Sequence, residues 1–217
     1  MRSFKEFKDV HRGKVLLVVG NGKNLDLTPP EVFGYLAIGM NTIVKHPNWV
    51  PDYYVAADRR VFREHGEEIQ KKLLYVPKFL PAPTMTRWDG PNTFFFRTYP
   101  GMLWPKNRKD LWQKDLETGP LIYGNSMHIA IKLAYFMGAK TILIIGMEHK
   151  PHKADVHFWG KDEKMSPDQP VKEWIRGYGI LAENLANSKV KLLNISQGTH
   201  VPAKTIPRDD WENWKEK

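Results

Sequence analysis

The 217-residue sequence contains no cysteine. This absence excludes disulfide scaffolds, thiolate zinc sites and cysteine nucleophiles, and it is compatible with a reducing compartment. The sequence also lacks an apolar run near the roughly 18 residues that a membrane-spanning helix needs, and its first residues are polar. We therefore expect no membrane span and no secretory signal, which together predict a cytoplasmic protein.

The composition is that of an ordinary globular chain, with 41% hydrophobic and 26% charged residues. We find no internal repeat and no low-complexity segment, and the length predicts one domain over residues 1–217. The 33 Lys and Arg residues exceed the 24 Asp and Glu residues, which gives a net charge of +9. This excess favours a phosphorylated or polyanionic partner, but it does not choose among nucleic acid, nucleotide and sugar phosphate.

Continuous β-branched and aliphatic runs predict strands that are buried on both faces, as in a parallel sheet. These runs occupy residues 14–19, 35–40, 53–57, 74–76, 120–123, 140–145 and 190–193. Helical spacing of apolar residues predicts helices over residues 59–73, 126–137 and about 167–187. The pattern predicts an α/β fold, Rossmann-like, with a mostly parallel central sheet flanked by helices.

Residues 77–119 interrupt this regularity, because six prolines are scattered there among Trp88, Trp104 and Trp112. A stretch of this length without regular structure is uncommon unless it is functional. We interpret it as a Pro/Trp-rich insertion over the ligand cleft, with a small hairpin around residues 94–98. A packed flap with a purely structural role is the alternative. The core is then about residues 14–194, and the tail 195–217 is predicted to pack as a short amphipathic helix.

Polar residues follow nearly every predicted strand, and ligands of open parallel sheets bind outside the carboxyl ends of the strands. The candidate binding residues are therefore Gly20, Asn21, Gly22, Asn41, Asp58, Asn125, Ser126, Glu148 and Asn194. Glycines in the first loop let a phosphate approach the backbone, and free amides there can hold its oxygens. The loop is neither the dinucleotide fingerprint, which needs glycine at Leu25, nor a P-loop. An ordinary tight turn is the alternative.

Several candidates have a second interpretation. Asp58 either holds a ribose hydroxyl or a metal, or caps the helix that follows it. Asn41 and Asn125 are open to the same ambiguity. His157 is either a general base or an exposed loop histidine. A metal cluster is a further alternative for the segment around it, with ligands drawn from Glu148, His149, His152, Asp155 and His157.

Six short motifs carry a family resemblance: VVGNGKNL (18–25), AIGMN (37–41), PDYYVAAD (51–58), GNS (124–126), IIGME (144–148) and HF (157–158). In this order they resemble the family first called domain of unknown function 115, which includes archaeal 6-hydroxymethylpterin pyrophosphokinase-like proteins. The chain is similar more distantly to the bacterial family 42 sialyltransferases. The resemblance runs from about residue 14 to residue 194 and leaves 77–119 unmatched.

The resemblance implies a Rossmann-like fold that binds a nucleotide or nucleotide-sugar donor at the strand ends. In sialyltransferase-like members, the positions matching Asn21, Gly22 and Asn41 contact the nucleotide of a CMP-sugar. The turn before the long helix corresponds to Gly124, Asn125 and Ser126, and the loop histidine that acts as base corresponds to His157. The chain departs from the family pattern at Lys23, Asn24 and Glu148. Lys23 suits a phosphate, and Glu148 preserves the carboxylate as a second candidate catalytic group.

The resemblance implies a transferase, with sialyltransferase-like glycosyl transfer from a CMP- or UDP-type donor as the first hypothesis. A pterin-type pyrophosphokinase is the second; it would need ATP and Mg²⁺, for which Asp58 and Glu148 are the available strand-end acids. We assign no metal ligands, because no strand end carries a dense acidic cluster. The third hypothesis is a non-catalytic, phage-type protein that binds nucleotide or nucleic acid, although no recognised nucleic-acid module is present. A homo-oligomer is compatible with all three.

Overall fold

The computed structural model describes residues 4–28, 30–81, 90–96, 112, 116, 125–149, 157–160 and 171–214. Within them, seven parallel strands form one sheet with the order β5-β4-β3-β2-β1-β6-β7. Their bounds are β1 (Val15–Val19), β2 (Ala37–Met40), β3 (Tyr53–Val55), β4 (Lys78–Pro81), β5 (Thr93–Phe96), β6 (Thr141–Ile145) and β7 (Lys191–Asn194).

Helices cover both faces of this sheet. They are α1 (Arg59–Lys72), α2 (Ser126–Phe136) and α3 (Val171–Asn187), with short 3-10 helices at Phe4–Phe7, Lys23–Leu27, Pro30–Gly34, Asn41–Lys45 and Trp211–Trp214. Successive side chains of a strand point to opposite faces. Leu16 and Val18 of β1 therefore pack in the layer that contains α2 and α3, and Leu17 and Val19 pack in the layer that contains α1. The Rossmann-like α/β architecture is confirmed.

The structure corrects the sequence prediction between residues 74 and 96. Residues 74–76 form a turn in which Tyr75 is 84% exposed, and the strand begins later, at Lys78. Two segments of the predicted insertion are sheet strands, β4 and β5. Their prolines stand at the strand ends, since Pro77 precedes β4, Pro81 is its last residue and Pro91 lies before β5, so none falls in the middle of a strand. The hairpin predicted around residues 94–98 is also wrong for residues 94–96, since β5 pairs in parallel with β4. Apart from residues 90–96, 112 and 116, the segment 82–119 lies outside the described residues, as does the predicted strand at 120–123.

The winding direction of the sheet changes between β1 and β6. From β1 the chain adds β2 to β5 on one side, and it then returns to place β6 and β7 on the other. In an open α/β sheet, the crevice at such a switch point is where ligands bind. The loops that leave β1 and β6 therefore define the place to look for a site.

The tail packs on the sheet through the 3-10 helix Trp211–Trp214, and both of its tryptophans are buried. The short predicted amphipathic helix is thus present as a single 3-10 turn. Across the described segments of the chain, we find no helix with the length and apolar character needed to span a bilayer.

Candidate functional site

The loops after β1 and β6 are joined by direct backbone contact. Gly20 N donates to Ile145 O (2.9 Å), and Gly22 N donates to Gly146 O (2.8 Å). A Cβ at Gly22 would lie only 2.8 Å from Gly146 O, and a Cβ at Gly20 would come closer still. Both glycines are therefore needed for this close approach, and their amides already have carbonyl partners where the sequence predicts free amides for a phosphate.

The same loop buries two asparagine side chains whose acceptor atoms lack donors. Asn21 is 8% exposed and Asn24 is 5% exposed. Neither Oδ1 atom has a hydrogen-bond partner among the described residues, although Asn24 Nδ2 donates to Gln197 O (2.7 Å). A buried acceptor without a donor costs about 1–3 kcal/mol, and folded proteins retain few of them. The β1 loop therefore contains two buried acceptors whose hydrogen bonds the described residues do not supply.

Glu148 lies opposite this loop, at the carboxyl end of β6. Its side chain is buried, and Oε1 accepts a hydrogen bond from Asn24 N. The carboxylate is thus held at the start of the 3-10 helix Lys23–Leu27, where Lys23 itself is exposed. A third amide of the loop is therefore hydrogen-bonded, in this case to the carboxyl group of Glu148.

His157 also reaches the β1 loop, 136 residues away in sequence. The turn 157–160 docks there because Phe158 N donates to Asn21 O (3.0 Å), and His157 Nδ1 lies 3.3 Å from the same oxygen. A carbonyl oxygen can only accept, so this contact places the proton on Nδ1 and the lone pair of the neutral ring on Nε2.

Trp159 anchors the turn on its other side. Its ring stacks on His157 with a centroid distance of 5.1 Å, and its Nε1 donates to Thr42 Oγ1 (3.0 Å). Lys45 Nζ lies 3.6 Å from the ring centroid, which is a cation–π contact. The turn therefore bridges the ends of β1 and β2, and His157 is held by contacts on both sides.

A second group of predicted residues meets at the ends of β2 and β3. Asn41 adopts a left-handed backbone (φ 48°), and its Oδ1 accepts from Ser126 Oγ (2.9 Å). Ala57 N in turn donates to Ser126 Oγ (3.3 Å). These contacts tie the start of α2 to the two strands. Gly124 lies outside the described residues.

Asp58 stands apart from both groups. It is exposed and acts as the N-cap of α1, since Oδ1 accepts from Arg60 N (2.8 Å). Of its two interpretations, the structure shows the capping geometry. Asn194 likewise organises its own loop, accepting from Ser196 N (3.0 Å) and donating to Thr199 Oγ1 (3.1 Å). That loop lines a cavity of about 220 Å³, together with Arg208 and Trp211.

The alternative of a metal cluster around His157 receives no support from the described residues. His152 and Asp155 lie outside them. Within the described ranges, no three His, Asp or Glu side chains come together in a way that could hold a metal ion.

Asn125 begins a chain of buried polar contacts that the sequence did not reveal. It caps α2, where Oδ1 accepts from His128 N (3.0 Å) and its own N donates to His128 Nδ1 (3.2 Å). Asn125 Nδ2 donates to Tyr178 Oη (2.7 Å), and that oxygen lies 2.8 Å from His149 Nε2. Three elements thus meet at one phenol: the start of α2, the end of β6 and the middle of α3.

Burial shifts the acid–base properties of this cluster. It lowers the pKa of His128 to about 3, of His149 to about 4 and of Lys132 to about 7. It also raises the pKa of Tyr178. Sequence reasoning missed His128, Lys132 and Tyr178 because their helical positions place them on the apolar faces of α2 and α3. Ionisable residues on otherwise apolar helix faces were the available signal.

Comparisons with known proteins bear on the fold. No protein-family profile matches the sequence, and no curated protein matches it. Among solved structures, the chain is similar to the MAf glycosyltransferase from Magnetospirillum magneticum AMB-1, with a TM-score of 0.58 and 10% sequence identity. The similarity covers 99% of this chain but only 38% of that one.

A second match is AP endonuclease, family 2, from Brucella melitensis, at 11% identity over 84% of this chain and 54% of that one. Its TM-score is 0.21, too low to carry an argument. What the comparisons show is therefore a fold: the chain has the architecture of part of a glycosyltransferase and spans about two fifths of that protein's length.

Proposed function

We propose that this chain is a glycosyltransferase-like transferase that binds a nucleotide-activated sugar in the crevice between β1 and β6. The glycosyl group would pass to an acceptor hydroxyl, with His157 as general base. The fold supports this proposal at the coarse level, because a glycosyltransferase has the same architecture over the length of this chain.

The single observation that carries the proposal is the pair of buried acceptors, Asn21 Oδ1 and Asn24 Oδ1, at the switch point. Acceptors need donors, and a nucleoside supplies them as ribose hydroxyls and, in cytosine or adenine, an exocyclic amino group. A phosphate supplies none and would be repelled by Glu148. We therefore place the nucleoside, and not the phosphate, at the β1 loop.

The phosphate then belongs towards the start of α2, where Asn125 and Ser126 follow the switch-point crevice. The amino end of an 11-residue helix carries partial positive charge, which favours an anion. The net charge of +9 is compatible with a phosphorylated donor. Nucleoside and phosphate would thus lie along a line from the end of β1 to the start of α2.

The chemistry requires one proton transfer. The acceptor hydroxyl oxygen forms a bond to the anomeric carbon of the donor. The bond between that carbon and the phosphate oxygen breaks, and its electron pair stays on the phosphate oxygen. The hydroxyl proton passes to His157 Nε2, which carries the lone pair of the neutral ring. A positioned base of this kind accelerates transfer by typically about 10²- to 10⁴-fold.

Ligand binding tests the proposal first. Thermal shift and calorimetry with CMP, UDP, nucleotide sugars and ATP, each with and without Mg²⁺, should identify a nucleotide that stabilises the folded chain. Asn21→Leu should abolish that stabilisation. Asn92→Ala is the matched control, because Asn92 bonds Leu74 O (3.3 Å) at the opposite end of the sheet.

Turnover tests the base. With the donor identified, His157→Ala should lower the transfer rate by at least about 100-fold and leave nucleotide affinity within about twofold. Stabilisation by MgATP alone would contradict glycosyl transfer in favour of a pyrophosphokinase. Salt-sensitive nucleic-acid binding that survives Asn21→Leu and His157→Ala would contradict an enzymatic site altogether.

A further inference from the structure

The contacts among Asn125, Tyr178 and His149 have a defined direction. Asn125 Oδ1 faces a backbone N–H, that of His128, so the amide nitrogen must face Tyr178 and donate to its oxygen. The phenol hydroxyl is buried and also needs an acceptor, so it donates its proton to His149 Nε2 (2.8 Å). His149 accepts at Nε2, and its ring proton is therefore on Nδ1.

The backbone of His149 is also unusual. Its φ of +50° lies in the left-handed region, which costs a non-glycine residue of order 1 kcal/mol or more. It follows Glu148 just beyond the carboxyl end of β6. Glu148 bonds the β1 loop, whereas His149 bonds α3 on the other side of the strand end. The left-handed backbone at His149 therefore accompanies a change of direction, in which Glu148 bonds the β1 loop and the next residue bonds α3.

We propose that His149, held by Tyr178 and Asn125, is a neutral hydrogen-bond donor to a phosphate oxygen of the bound nucleotide. This inference rests on the proposed function and adds to it the group that contacts the leaving phosphate. A donor fixed in advance of the reaction stabilises charge that develops on an oxygen without reorganising itself. Tyr178 and Asn125 are positioning residues in this scheme.

The surroundings of His149 agree with a neutral ring. Among the described residues, the groups packed against it include Tyr178 and the Trp174 ring from α3, with His128 and Lys132 beyond them on α2. Burial lowers the pKa of His149 to about 4, so the imidazole is uncharged at neutral pH. A neutral imidazole can still act as an electrophile through its N–H. The two histidines would thus differ in role. His157 would accept a proton on the lone pair of Nε2, and His149 would donate a hydrogen bond from its Nδ1–H.

The tautomer can be measured without knowing the substrate. In protein labelled with [¹⁵N]histidine, long-range ¹H–¹⁵N correlations distinguish Nδ1–H from Nε2–H rings, and His149→Gln identifies the His149 signals. We expect the Nδ1–H form at pH 7 in the wild type, and a shift towards Nε2–H in Tyr178→Phe. Tyr53→Phe is the matched control, because it removes a tyrosine–histidine bond of equal length (2.8 Å), that to His11.

The phosphate contact is tested by adding CMP or UDP, with cytidine and uridine as phosphate-free comparisons. We expect the nucleotides, but not the nucleosides, to shift His149 Nδ1, and we expect Tyr178→Phe to weaken nucleotide affinity about tenfold. Tyr53→Phe should leave that affinity unchanged.

Two outcomes would overturn the inference alone: an Nε2–H ring in the wild type, or an unmoved Nδ1 in a nucleotide complex that depends on Asn21. If no nucleotide binds, the proposed function is wrong and the donor role of His149 is wrong with it. The wild-type tautomer is measured without Tyr178→Phe, so the hydrogen bond from Tyr178 to His149 is tested even if that variant fails to fold.

Discussion

The two ends of the parallel sheet contain the same pair of side chains in different settings. At the amino end, His11 Nε2 lies 2.8 Å from Tyr53 Oη; at the carboxyl end, His149 Nε2 lies 2.8 Å from Tyr178 Oη. Tyr53 is half-buried, whereas Tyr178 is completely buried and receives a further bond from Asn125. A contact of equal length is therefore a half-buried pair at the amino end and part of a buried network at the carboxyl end.

The buried polar groups differ in the same way. At the amino end, Lys78 Nζ donates to Leu73 O (2.6 Å) and Val76 O (2.9 Å), which completes the carboxyl terminus of α1. At the carboxyl end, the Oδ1 atoms of Asn21 and Asn24 have no partner among the described residues. The contacts of Lys78 are met within the chain, whereas the open acceptors of Asn21 and Asn24 are the basis of the proposed ligand site.

The largest effect should come from the glycine contact at the carboxyl end. Gly146→Ala adds a Cβ 2.7 Å from Gly20 O at a residue with φ +66°. We expect the free energy of unfolding to fall by about 3–4 kcal/mol, which combines left-handed strain of about 1–2 kcal/mol with a backbone clash. Urea denaturation measures the loss.

Gly13→Ala is the control for that substitution at the amino end. Gly13 has a comparable φ of +78°, but a Cβ there meets nothing within 4 Å. Gly13→Ala should therefore lower the free energy of unfolding only by the cost of the left-handed backbone, about 1–2 kcal/mol. Equal losses for the two variants would show that the contact between the β1 and β6 loops is not tight, which would weaken the site built on it.

Most of the sheet could be predicted from the sequence because its strands are short continuous apolar runs. The runs at 14–19 and 140–145 correspond to β1 and β6 within one residue. The prediction failed at residues 74–76, where an apolar run forms an exposed turn, and at β4 and β5, which prolines disguise. Periodicity does not show which apolar residues will be covered, since coverage depends on the neighbouring strand.

The site could be predicted only as a set of strand ends. That rule located Asn21, Asn41, Ser126 and Glu148, because the chain must leave each strand at the same edge of a parallel sheet. It could not predict that the Gly20 amide bonds to the last residue of β6 and the Gly22 amide to the residue after it, since that depends on which strand lies beside β1. The hydrogen bonds of Tyr178 could not be predicted either, because a tyrosine within a helix pattern gives no indication of its partner.

Acid should destabilise the protein through its carboxyl-end histidines. Burial lowers the pKa of His149 to about 4, whereas the unfolded value is near 6.5. Between these values the unfolded state binds a proton that the folded state does not, so stability rises with pH and is lost as pH falls. His128, with a pKa lowered to about 3, adds in the same direction. We expect His149→Gln to remove about 3 kcal/mol of the loss between pH 7 and 4.

Urea denaturation at half-unit pH steps checks this, and His11→Gln provides the comparison. The pKa of His11 is also lowered by burial, but Asp52 opposes the shift. Replacing His11 should therefore change the slope of stability against pH less than replacing His149 does. The ordering would be contradicted if His11→Gln flattened the slope as much as His149→Gln.

The smallest expected effect is a pair of changes in stability, and it tests the comparison most directly. A substitution at the carboxyl end should raise the free energy of unfolding, and one at the amino end should lower it. Asn21→Leu replaces a buried side chain whose acceptor lacks a donor with an apolar one of similar shape. It should raise the free energy of unfolding by about 1 kcal/mol while removing nucleotide binding. Asp52→Leu at the amino end removes the acceptor of Ala37 N (2.8 Å), and it should lower stability by about 1 kcal/mol.

Thermal and urea unfolding of both variants, without ligand and with the stabilising nucleotide, separate the two effects. If Asn21→Leu destabilised the ligand-free protein as Asp52→Leu does, the Asn21 side chain would already be satisfied within the chain. The β1 loop would then be a structural feature like those at the amino end. Opposite signs would instead mean that the folded chain tolerates an open acceptor at the switch point, and such a cost is retained where a ligand offsets it.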